Sequence, residues 1–324
     1  MHYLVTGGCG FIGSHLTERL LALGAKVTVI DDLSTGKFAN LASIAPTPNM
    51  RVIIGSILDR ELAEPLIRDV DGVFHLASAV GVRLIMDRPV EAIETIFQGT
   101  DTVLRFAARY RRKVLLTSTS EVYGKSEDLP FKEDGNRVEG STNMHRWAYA
   151  CAKALDEFLV LAHHKTSRLP VVVTRLFNTV GPRQASQYGM VLPRFVEAAL
   201  MGQPLTLYGD GMQTRCFCHV ADVVEALVLA MESTRCDGEV INVGSNQEIS
   251  IKALADLVIA RTSSRSPVMR IPYEQAFPDG GFEDMKRRVP SLEKVGHLLN
   301  WRPKRNLDDI ISDVVEEKRR RLHV

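Results

Sequence analysis

Two spacings of apolar residues alternate along the first half of the chain. Short apolar runs typical of buried strands occur at residues 3–5, 25–30, 50–54, 72–77, 113–118 and 171–177. Stretches with apolar residues at helical spacing lie between them, most clearly at residues 11–23, 89–110 and 147–164. Strands that alternate with helices predict an α/β fold with a doubly wound parallel sheet.

The pattern changes after residue 177, where loops lengthen and Pro and Gly become more frequent. Further helices are predicted at residues 191–201, 220–231, 251–261 and 307–320, with one strand at 240–243. We expect a first domain of residues 1–177, to which residues 214–245 return, and a smaller interleaved domain of residues 178–213 and 246–324. Ligands of such folds bind beyond the carboxyl ends of the strands, so the smaller domain should cover that edge.

The turn after the first strand is rich in glycine and reads Gly7-Gly8-Cys9-Gly10-Phe11-Ile12-Gly13. Glycines at these places allow a tight turn, a close approach of the backbone to a pyrophosphate, and close packing of helix on strand. The helix that follows offers its free N–H groups to the phosphates. This sequence predicts a Rossmann-type dinucleotide-binding domain.

An acidic residue ends the second predicted strand. The carboxylate of Asp31 is placed to accept hydrogen bonds from the ribose hydroxyls, and it would repel a 2′-phosphate. Its neighbour Asp32 fits a solvated turn better. The sequence therefore favours NAD over NADP as the cofactor.

Hydroxyl groups and one carboxylate follow the fifth predicted strand, in the run from Thr117 through Thr119, Ser120 and Glu121. Further on, Tyr149 and Lys153 lie one helical turn apart on one face of a helix. A nearby ammonium group is expected to lower the pKa of the phenol, so that Tyr149 can take a proton from a sugar hydroxyl. NAD⁺ would accept the hydride from the same carbon.

Composition excludes several classes of partner. With 324 residues, 45% of them hydrophobic, the chain can bury a large core, and its net charge of +1 gives no case for nucleic acid or an anionic membrane. No apolar run reaches the roughly 18 residues of a membrane span, and no leader sequence is recognised. The five cysteines are scattered, and Cys216-x-Cys218 lacks a second pair to bind zinc. We expect a cytoplasmic protein without a metal.

Eight motifs give the chain a resemblance to one family. In order, they are T-G-G-x-G-F-I-G-S-H, V-I-D-D-L-S-T-G, H-L-A, T-S-E-V-Y-G, Y-x-x-x-K, R-L-F-N-T-x-G-P-R, Y-G-D-G-x-Q-T-R and R-R-V-P. The chain thus resembles the extended short-chain dehydrogenase/reductases that act on nucleotide sugars. The resemblance implies a UDP-sugar substrate, tightly held NAD⁺, and a homodimer built through a four-helix bundle of the helices at 89–110 and 147–164.

The resemblance also implies two sets of binding residues. The cofactor set is Gly7, Gly10, Phe11, Ile12, Gly13, Asp31, Asp32, Ser34, Ser56, Ile57, Leu76, Ala77, Ser78, Thr117, Tyr149 and Lys153. The substrate set is Asn178, Val191, Tyr208, Arg215 and Arg288. The chain departs from the family at Ser56, where Asp is frequent, at Ile96, where Asn is usual, and across residues 184–190.

The loop before Tyr123 separates members of this family. The related sugar 4,6-dehydratases have T-D-E-V-Y-G, with an Asp that protonates a departing C6 hydroxyl, whereas this chain has Ser120. A serine is compatible with a C6 carboxylate, which an aspartate would repel. T-S-E-V-Y-G resembles the UDP-glucuronate decarboxylases. In these enzymes oxidation at C4 gives a β-keto acid that loses carbon dioxide.

That resemblance assigns roles to the loop and its neighbours. Tyr149, Lys153 and Thr119 would serve the oxidation, Ser120 and Glu121 would orient the ring or a water, and Arg215 would act as an acid or a substrate clamp. The product would be UDP-xylose or the UDP-4-keto-pentose. A nucleotide-sugar 4-epimerase is the alternative, although Glu121 argues against it. A 4,6-dehydratase lacks its Asp here, and a non-catalytic relative would have lost Tyr149 or Lys153.

Overall fold

The computed structural model describes residues 1–42, 44, 47–78, 88–144, 146–186, 190–276 and 285–322. The strands in these ranges are β1 (His2–Thr6), β2 (Lys26–Asp31), β3 (Met50–Ile54), β4 (Gly72–His75), β5 (Lys113–Thr119), β6 (Val171–Leu176), β7 (Thr179–Val180), β8 (Leu205–Tyr208), β9 (Thr214–Cys216), β10 (Cys218–His219), β11 (Glu239–Val243), β12 (Glu248–Ser250) and β13 (Val268–Ile271). The α-helices are α1 (Phe11–Ala22), α2 (Arg60–Arg68), α3 (Pro89–Tyr110), α4 (Arg146–Ser167), α5 (Val191–Leu200), α6 (Val220–Glu232), α7 (Ile251–Thr262), α8 (Tyr273–Ala276), α9 (Glu293–Leu299) and α10 (Leu307–Leu322).

Seven of the strands form one parallel sheet in the order β11-β6-β5-β4-β1-β2-β3. The strand order reverses between β1 and β4, which are direct neighbours. In open parallel sheets the crevice beyond the carboxyl ends of the strands at this point is the usual ligand site. The predicted Rossmann-type fold is confirmed.

Both faces of the sheet are covered, which explains the continuous apolar runs of the strands. Alternate residues of β1 point to opposite faces. Val5 packs in a cluster with Leu16 of α1 and Leu227 of α6, and Leu4 packs in another with Val103 of α3 and Val160 of α4. No helix within the described ranges is both long and apolar enough to cross a membrane.

A third apolar cluster lies in the C-terminal part. It joins α5, α7, α10 and β8, with Phe195, Leu254 and Ile311 fully buried. By contrast α6 packs on the main sheet and β11 extends it beside β6. The second half therefore contributes α5 and β8 to the third cluster, returns to the main sheet with α6 and β11, and then adds α7 and α10 to the third cluster. The three two-stranded sheets of this region, β7–β10, β8–β13 and β9–β12, have strands of two to four residues, which carry too little periodicity to predict.

The predicted long elements are found within a few residues of their predicted ends. One difference concerns β4, which ends at His75, two residues earlier than predicted. The backbone N–H groups of the next two residues, Leu76 and Ala77, donate to the side-chain hydroxyl of Thr6, and the strand ends before them. Helix α2 was not predicted. It contains Pro65, begins at Arg60 and is capped by Asp59, whose carboxylate accepts the N–H groups of Glu61 and Leu62.

Candidate active site

The glycine loop after β1 leaves no room for side chains. Gly7 has φ +71°, and a Cβ there would lie 2.9 Å from the backbone nitrogen of Ala77. A Cβ on Gly13 would press against the carbonyl oxygen of Gly7. Helix α1 begins at Phe11 without a side-chain cap on its N–H groups. Such a bare helix start behind a glycine turn suits the phosphates of a dinucleotide.

Asp31 lies at the end of β2 and is nearly fully buried. Its two carboxylate oxygens accept the N–H groups of Cys9, at 2.9 Å, and Leu33, at 2.8 Å. Burial raises the pKa of Asp31, and these two donors offset part of that increase. The carboxylate thus holds the glycine loop in place, and each oxygen keeps a lone pair for a ribose hydroxyl.

The other predicted cofactor residues differ in what they already bind. Asp32 is exposed and accepts both the N–H and the hydroxyl of Ser34, and Ser56 accepts the N–H of Leu58. Ile57 is buried in the apolar cluster that contains Leu4 and Val103.

Two hydroxyls near the end of β4 complete the set. Thr117 donates to the carbonyl of His75, whereas the buried hydroxyl of Ser78 has no hydrogen-bond partner in the described part of the chain. A buried orphan hydroxyl beside a glycine cradle and an acid fits a dinucleotide ligand.

The loop after β5 brings the predicted catalytic residues together. Thr119 ends the strand, and its hydroxyl accepts the N–H of Glu121 at 3.2 Å, which starts a short 3₁₀ turn. The Thr119 side chain also hydrogen-bonds with Tyr149, which reaches the loop from α4. Lys153 is buried one turn further along the same helix.

The pKa of Tyr149 is raised, not lowered. Burial is the main cause, and the negative charge of Glu121 adds to it, while the hydrogen bond with Thr119 offsets part. The predicted lowering by Lys153 is therefore wrong, because burial of the phenol outweighs it. The Lys153 ammonium pairs instead with a carboxylate oxygen of Asp156, 3.1 Å away. The phenol keeps its proton at neutral pH.

Arg288 binds two residues of the same loop. One guanidinium nitrogen lies 2.7 Å from Glu121, and another donates to the Ser120 hydroxyl at 3.4 Å. Both Arg288 and Ser120 are buried. A cation, a carboxylate and a hydroxyl therefore meet beside Tyr149.

Arg215 has a different environment from Arg288. Its guanidinium donates to two backbone carbonyls, that of Thr214 at 2.7 Å and that of Met285 at 2.8 Å. Met285 lies three residues before Arg288, so Arg215 holds the segment that carries Arg288 to the loop.

The remaining predicted substrate residues lie in the C-terminal part. The side chain of Asn178 donates to the carbonyl of Cys216 at 2.9 Å, and Val191 begins α5. The hydroxyl of Tyr208 accepts a hydrogen bond from Arg194, whose guanidinium lies 4.8 Å above the tyrosine ring. In the divergent loop at 184–190, residues 187–189 lie outside the described ranges.

A buried polar network beneath the loop was not predicted. Ser118 donates to Glu157, and Glu157 accepts two guanidinium nitrogens of Arg175. The Arg175 guanidinium lies 4.7 Å above the ring of Tyr123, whose hydroxyl donates to Asn242. The partners in this network lie far apart in the sequence, so no local pattern links them. The one sign in the sequence is that an acid, Glu157, follows Lys153 by four residues. The network fixes the backbone on which Thr119 and Ser120 stand.

Comparison with known families places this site in a wider context. A family model described as GDP-mannose 4,6 dehydratase matches residues 4–314. The chain belongs to this family. Its members are extended short-chain dehydrogenase/reductases, so the resemblance inferred from the motifs is confirmed.

Two characterised family members are similar over nearly the whole chain. The UDP-N-acetyl-α-D-glucosaminuronate decarboxylase of Bacillus cytotoxicus is 41% identical over 314 residues, which are 97% of this chain and 96% of that protein. UDP-glucuronic acid decarboxylase 1 of Danio rerio is 35% identical over 315 residues, which are 97% of this chain and 71% of that protein.

Solved structures of the family agree with the fold. The UDP-glucuronic acid 4-epimerase of Bacillus cereus, in complex with UDP-glucuronic acid and NAD, has a TM-score of 0.89 at 28% identity, covering 99% of both chains. The UDP-glucose 4-epimerase of Thermotoga maritima has a TM-score of 0.90 at 30% identity, covering 99% of this chain and 100% of that one.

Proposed function

We propose that this enzyme decarboxylates UDP-glucuronate by oxidising C4, with NAD⁺ as its cofactor. The two decarboxylases that are 41% and 35% identical support this function. The observation that carries it is Ser120, which stands where the related dehydratases have an aspartate and which Arg288 contacts. A neutral hydroxyl beside a guanidinium can donate a hydrogen bond to a C6 carboxylate, whereas a carboxylate at that position would repel it.

The first chemical step is the oxidation of the C4 hydroxyl. Bound NAD⁺ supplies the hydride acceptor and the positive charge that favours the Tyr149 phenolate. Tyr149 takes the hydroxyl proton, and Thr119, its hydrogen-bond partner, orients the phenol. Lys153 would bind the ribose of the cofactor. The sugar is left with a ketone at C4.

The second step breaks the bond between C5 and C6. The carboxylate is β to the new ketone, so carbon dioxide leaves and the electron pair of the bond enters the ketone as an enolate. Tyr149, now protonated, and Thr119 donate hydrogen bonds to the enolate oxygen. Arg288 and Ser120 orient the carboxylate before it leaves, and Glu121 directs a water that returns one proton to C5. If the hydride taken up in the first step returns to C4, the product is UDP-xylose. If the ketone leaves the site before that reduction, the product is the UDP-4-keto-pentose.

A second substrate is favoured by one observation. The relative that is 41% identical is named for UDP-N-acetyl-α-D-glucosaminuronate, which carries an acetamido group at C2. The chemistry at C4, C5 and C6 is the same in both sugars. The proposal therefore covers both uronic acids, and the assay below compares them.

Two finer parts of the proposal concern the chain as a whole. Residues 1–177 with 214–245 bind the cofactor, and residues 178–213 with 246–324 bind the nucleotide sugar, with Asn178, Val191, Tyr208 and Arg215 near the nucleotide. The separate apolar cluster of the C-terminal part supports this division.

The enzyme acts in the cytoplasm, a location that five free cysteines support because cytoplasmic thiols stay reduced.

The decisive assay mixes the purified enzyme and NAD⁺ with each uronic acid nucleotide separately. We expect the product to have lost one carbon dioxide from UDP-glucuronate, from the 2-acetamido sugar, or from both, as measured by mass spectrometry. UDP-glucose, which lacks the carboxylate, is the control and should keep its mass. An unchanged mass with inverted C4 would instead support the 4-epimerase, which the structural relatives named as epimerases make the second candidate.

A homodimer is also part of the proposal. Four large apolar side chains are exposed on the paired helices α3 and α4: Val90, Ile93, Leu155 and Phe158. Val90 and Phe158 are 68% and 65% exposed, respectively. Residues three apart lie on one face of a helix, so each of the two helices presents an exposed apolar pair. A second copy of these helices would bury both pairs and form a four-helix bundle.

We expect Phe158→Glu to shift the protein towards the monomer, because the charge would be buried in the bundle. Sedimentation velocity measures the change in mass. Met269→Glu is the matched control, since Met269 is 46% exposed on β13, away from these helices. A mass that is the same for both variants and the wild type would argue against the bundle.

A further inference from the structure

Asp156 is a buried carboxylate on α4 that the mechanism above does not use. Its side chain is 0% exposed, and one oxygen lies 3.1 Å from the ammonium nitrogen of Lys153. Lys153 is itself 2% exposed. Charges this deep in a protein are retained where they are paired, because desolvation is not offset otherwise. Asp156 is the counter-ion of Lys153.

A chain of hydrogen bonds begins at the glycine loop and runs towards this pair. The hydroxyl oxygen of Thr6 accepts the N–H groups of Leu76 and Ala77. The proton of the Thr6 hydroxyl is then directed at Nδ1 of His75, 2.8 Å away. Nδ1 is thus the accepting nitrogen of the ring.

His75 passes the chain on to α3. Burial, followed by the charge of Lys153, lowers the pKa of His75 to about 3, so the ring is neutral. A neutral ring that accepts at Nδ1 carries its proton on Nε2, which lies 3.3 Å from the hydroxyl oxygen of Thr100. Burial raises the pKa of Asp156, and the charge of Lys153, followed by a hydrogen bond from the Thr100 hydroxyl, offsets part of that increase. Each hydrogen bond in this series is donated in the direction of the Asp156 carboxylate.

Other titratable groups face the pair from its own helix and from neighbouring elements. They are Tyr149 and Glu157 of α4, His75 of β4, whose ring is neutral, and Glu121 of the turn after β5. Glu157 is paired with Arg175, and Glu121 with Arg288. The Lys153 ammonium therefore has Asp156 as its own compensating charge.

We propose that Asp156 is a positioning residue, which holds Lys153 in place and balances its charge so that the bound cofactor stays oxidised at rest. The nicotinamide ring is positive in NAD⁺ and neutral in NADH. An unbalanced ammonium nearby would repel the oxidised ring and favour the reduced one. This inference rests on the proposed use of NAD but not on the identity of the sugar.

The test is the ratio of the dissociation constants of NAD⁺ and NADH, measured by NADH fluorescence and its displacement. Hydrogen bonds to parts common to both forms cancel in this ratio, which leaves the effect of charge. Asp156→Asn should shift the ratio about tenfold towards NADH. Lys153→Met should shift it towards NAD⁺, and the double variant, which restores neutrality and so keeps the fold, should return towards wild type. An unchanged ratio, or shifts in one direction only, would overturn the proposal.

The pH profile gives a second readout, which a purely structural role would not move. The negative charge of Asp156 raises the pKa of Tyr149, which must ionise to accept a proton. In Asp156→Asn the acidic limb of kcat/KM should move about one pH unit lower. The matched control is Asp222→Asn, which removes another fully buried acid, paired with Arg305 away from the site. This control should lower thermal stability but leave unchanged both the acidic limb of kcat/KM and the ratio of the NAD⁺ and NADH dissociation constants.

The outcomes separate this inference from the proposed function. A wild type that binds NAD⁺ and decarboxylates no uronic acid would refute the function, while the affinity ratio would still decide the role of Asp156. Asp156→Asn with reduced stability but the wild-type ratio would make Asp156 structural and overturn the inference. A chain that bound neither form of the cofactor would overturn both.

Discussion

Tyr149→Phe is expected to lower kcat by about 10³-fold while NAD⁺ binding and thermal stability stay near wild type. The variant loses only the phenolic oxygen, which accepts the C4 proton and hydrogen-bonds with Thr119. Steady-state kinetics with the uronic acid nucleotide and a cofactor titration measure the two effects.

The control for this variant makes the same chemical change elsewhere. Tyr110→Phe removes a hydroxyl that donates to Glu64 at the junction of α2 and α3. It should keep its turnover. A Tyr149→Phe enzyme with kcat within a few-fold of wild type would remove Tyr149 from the proton transfer.

Ser120→Asp is expected to lower kcat/KM for the uronic acid nucleotide about 100-fold relative to Ser120→Asn. Asp and Asn have nearly the same shape, so the comparison isolates one negative charge. That charge would repel the C6 carboxylate and occupy the guanidinium of Arg288, which contacts Ser120 at 3.4 Å. A charge a few ångströms away in a partly desolvated site accounts for an effect of about this size.

Inhibition by UDP-glucose is the internal control for the Ser120 pair, because this sugar has no carboxylate. Its inhibition constant should be similar in Ser120→Asp and Ser120→Asn. Equal kcat/KM values for the two variants on the uronic acid would argue that Ser120 does not face the carboxylate.

The sequence predicted the fold well because its signals were local. The apolar runs of the main sheet and the helix at 89–110 are long and regular, so periodicity alone located them. The catalytic loop was also recognisable, since Thr119, Ser120 and Glu121 are consecutive at the end of a strand. Their neighbourhood was not, because the partner of Glu121 comes from a distant segment.

Two aspects of the site show why sequence reasoning stopped there. The lowered pKa expected for Tyr149 assumed that the charge of Lys153 dominates, but burial of the phenol, followed by the charge of Glu121, raises the pKa, while Lys153 is paired with Asp156. The i+3 spacing of Lys153 and Asp156 was visible, whereas the burial of both was not. The resemblance assigned both Arg215 and Arg288 to the substrate, and only the fold separates one that binds carbonyls from one that binds the loop.

Ser120 and Arg288 lie 168 positions apart in the sequence, and this separation has a consequence for the growing polypeptide. The glycine loop, Asp31 and β4 all precede Ser120 in the sequence, so they leave the ribosome well before Arg288 is made. The Ser120 loop therefore emerges without the guanidinium that contacts it, and this part of the site can form only after Arg288 has been synthesised.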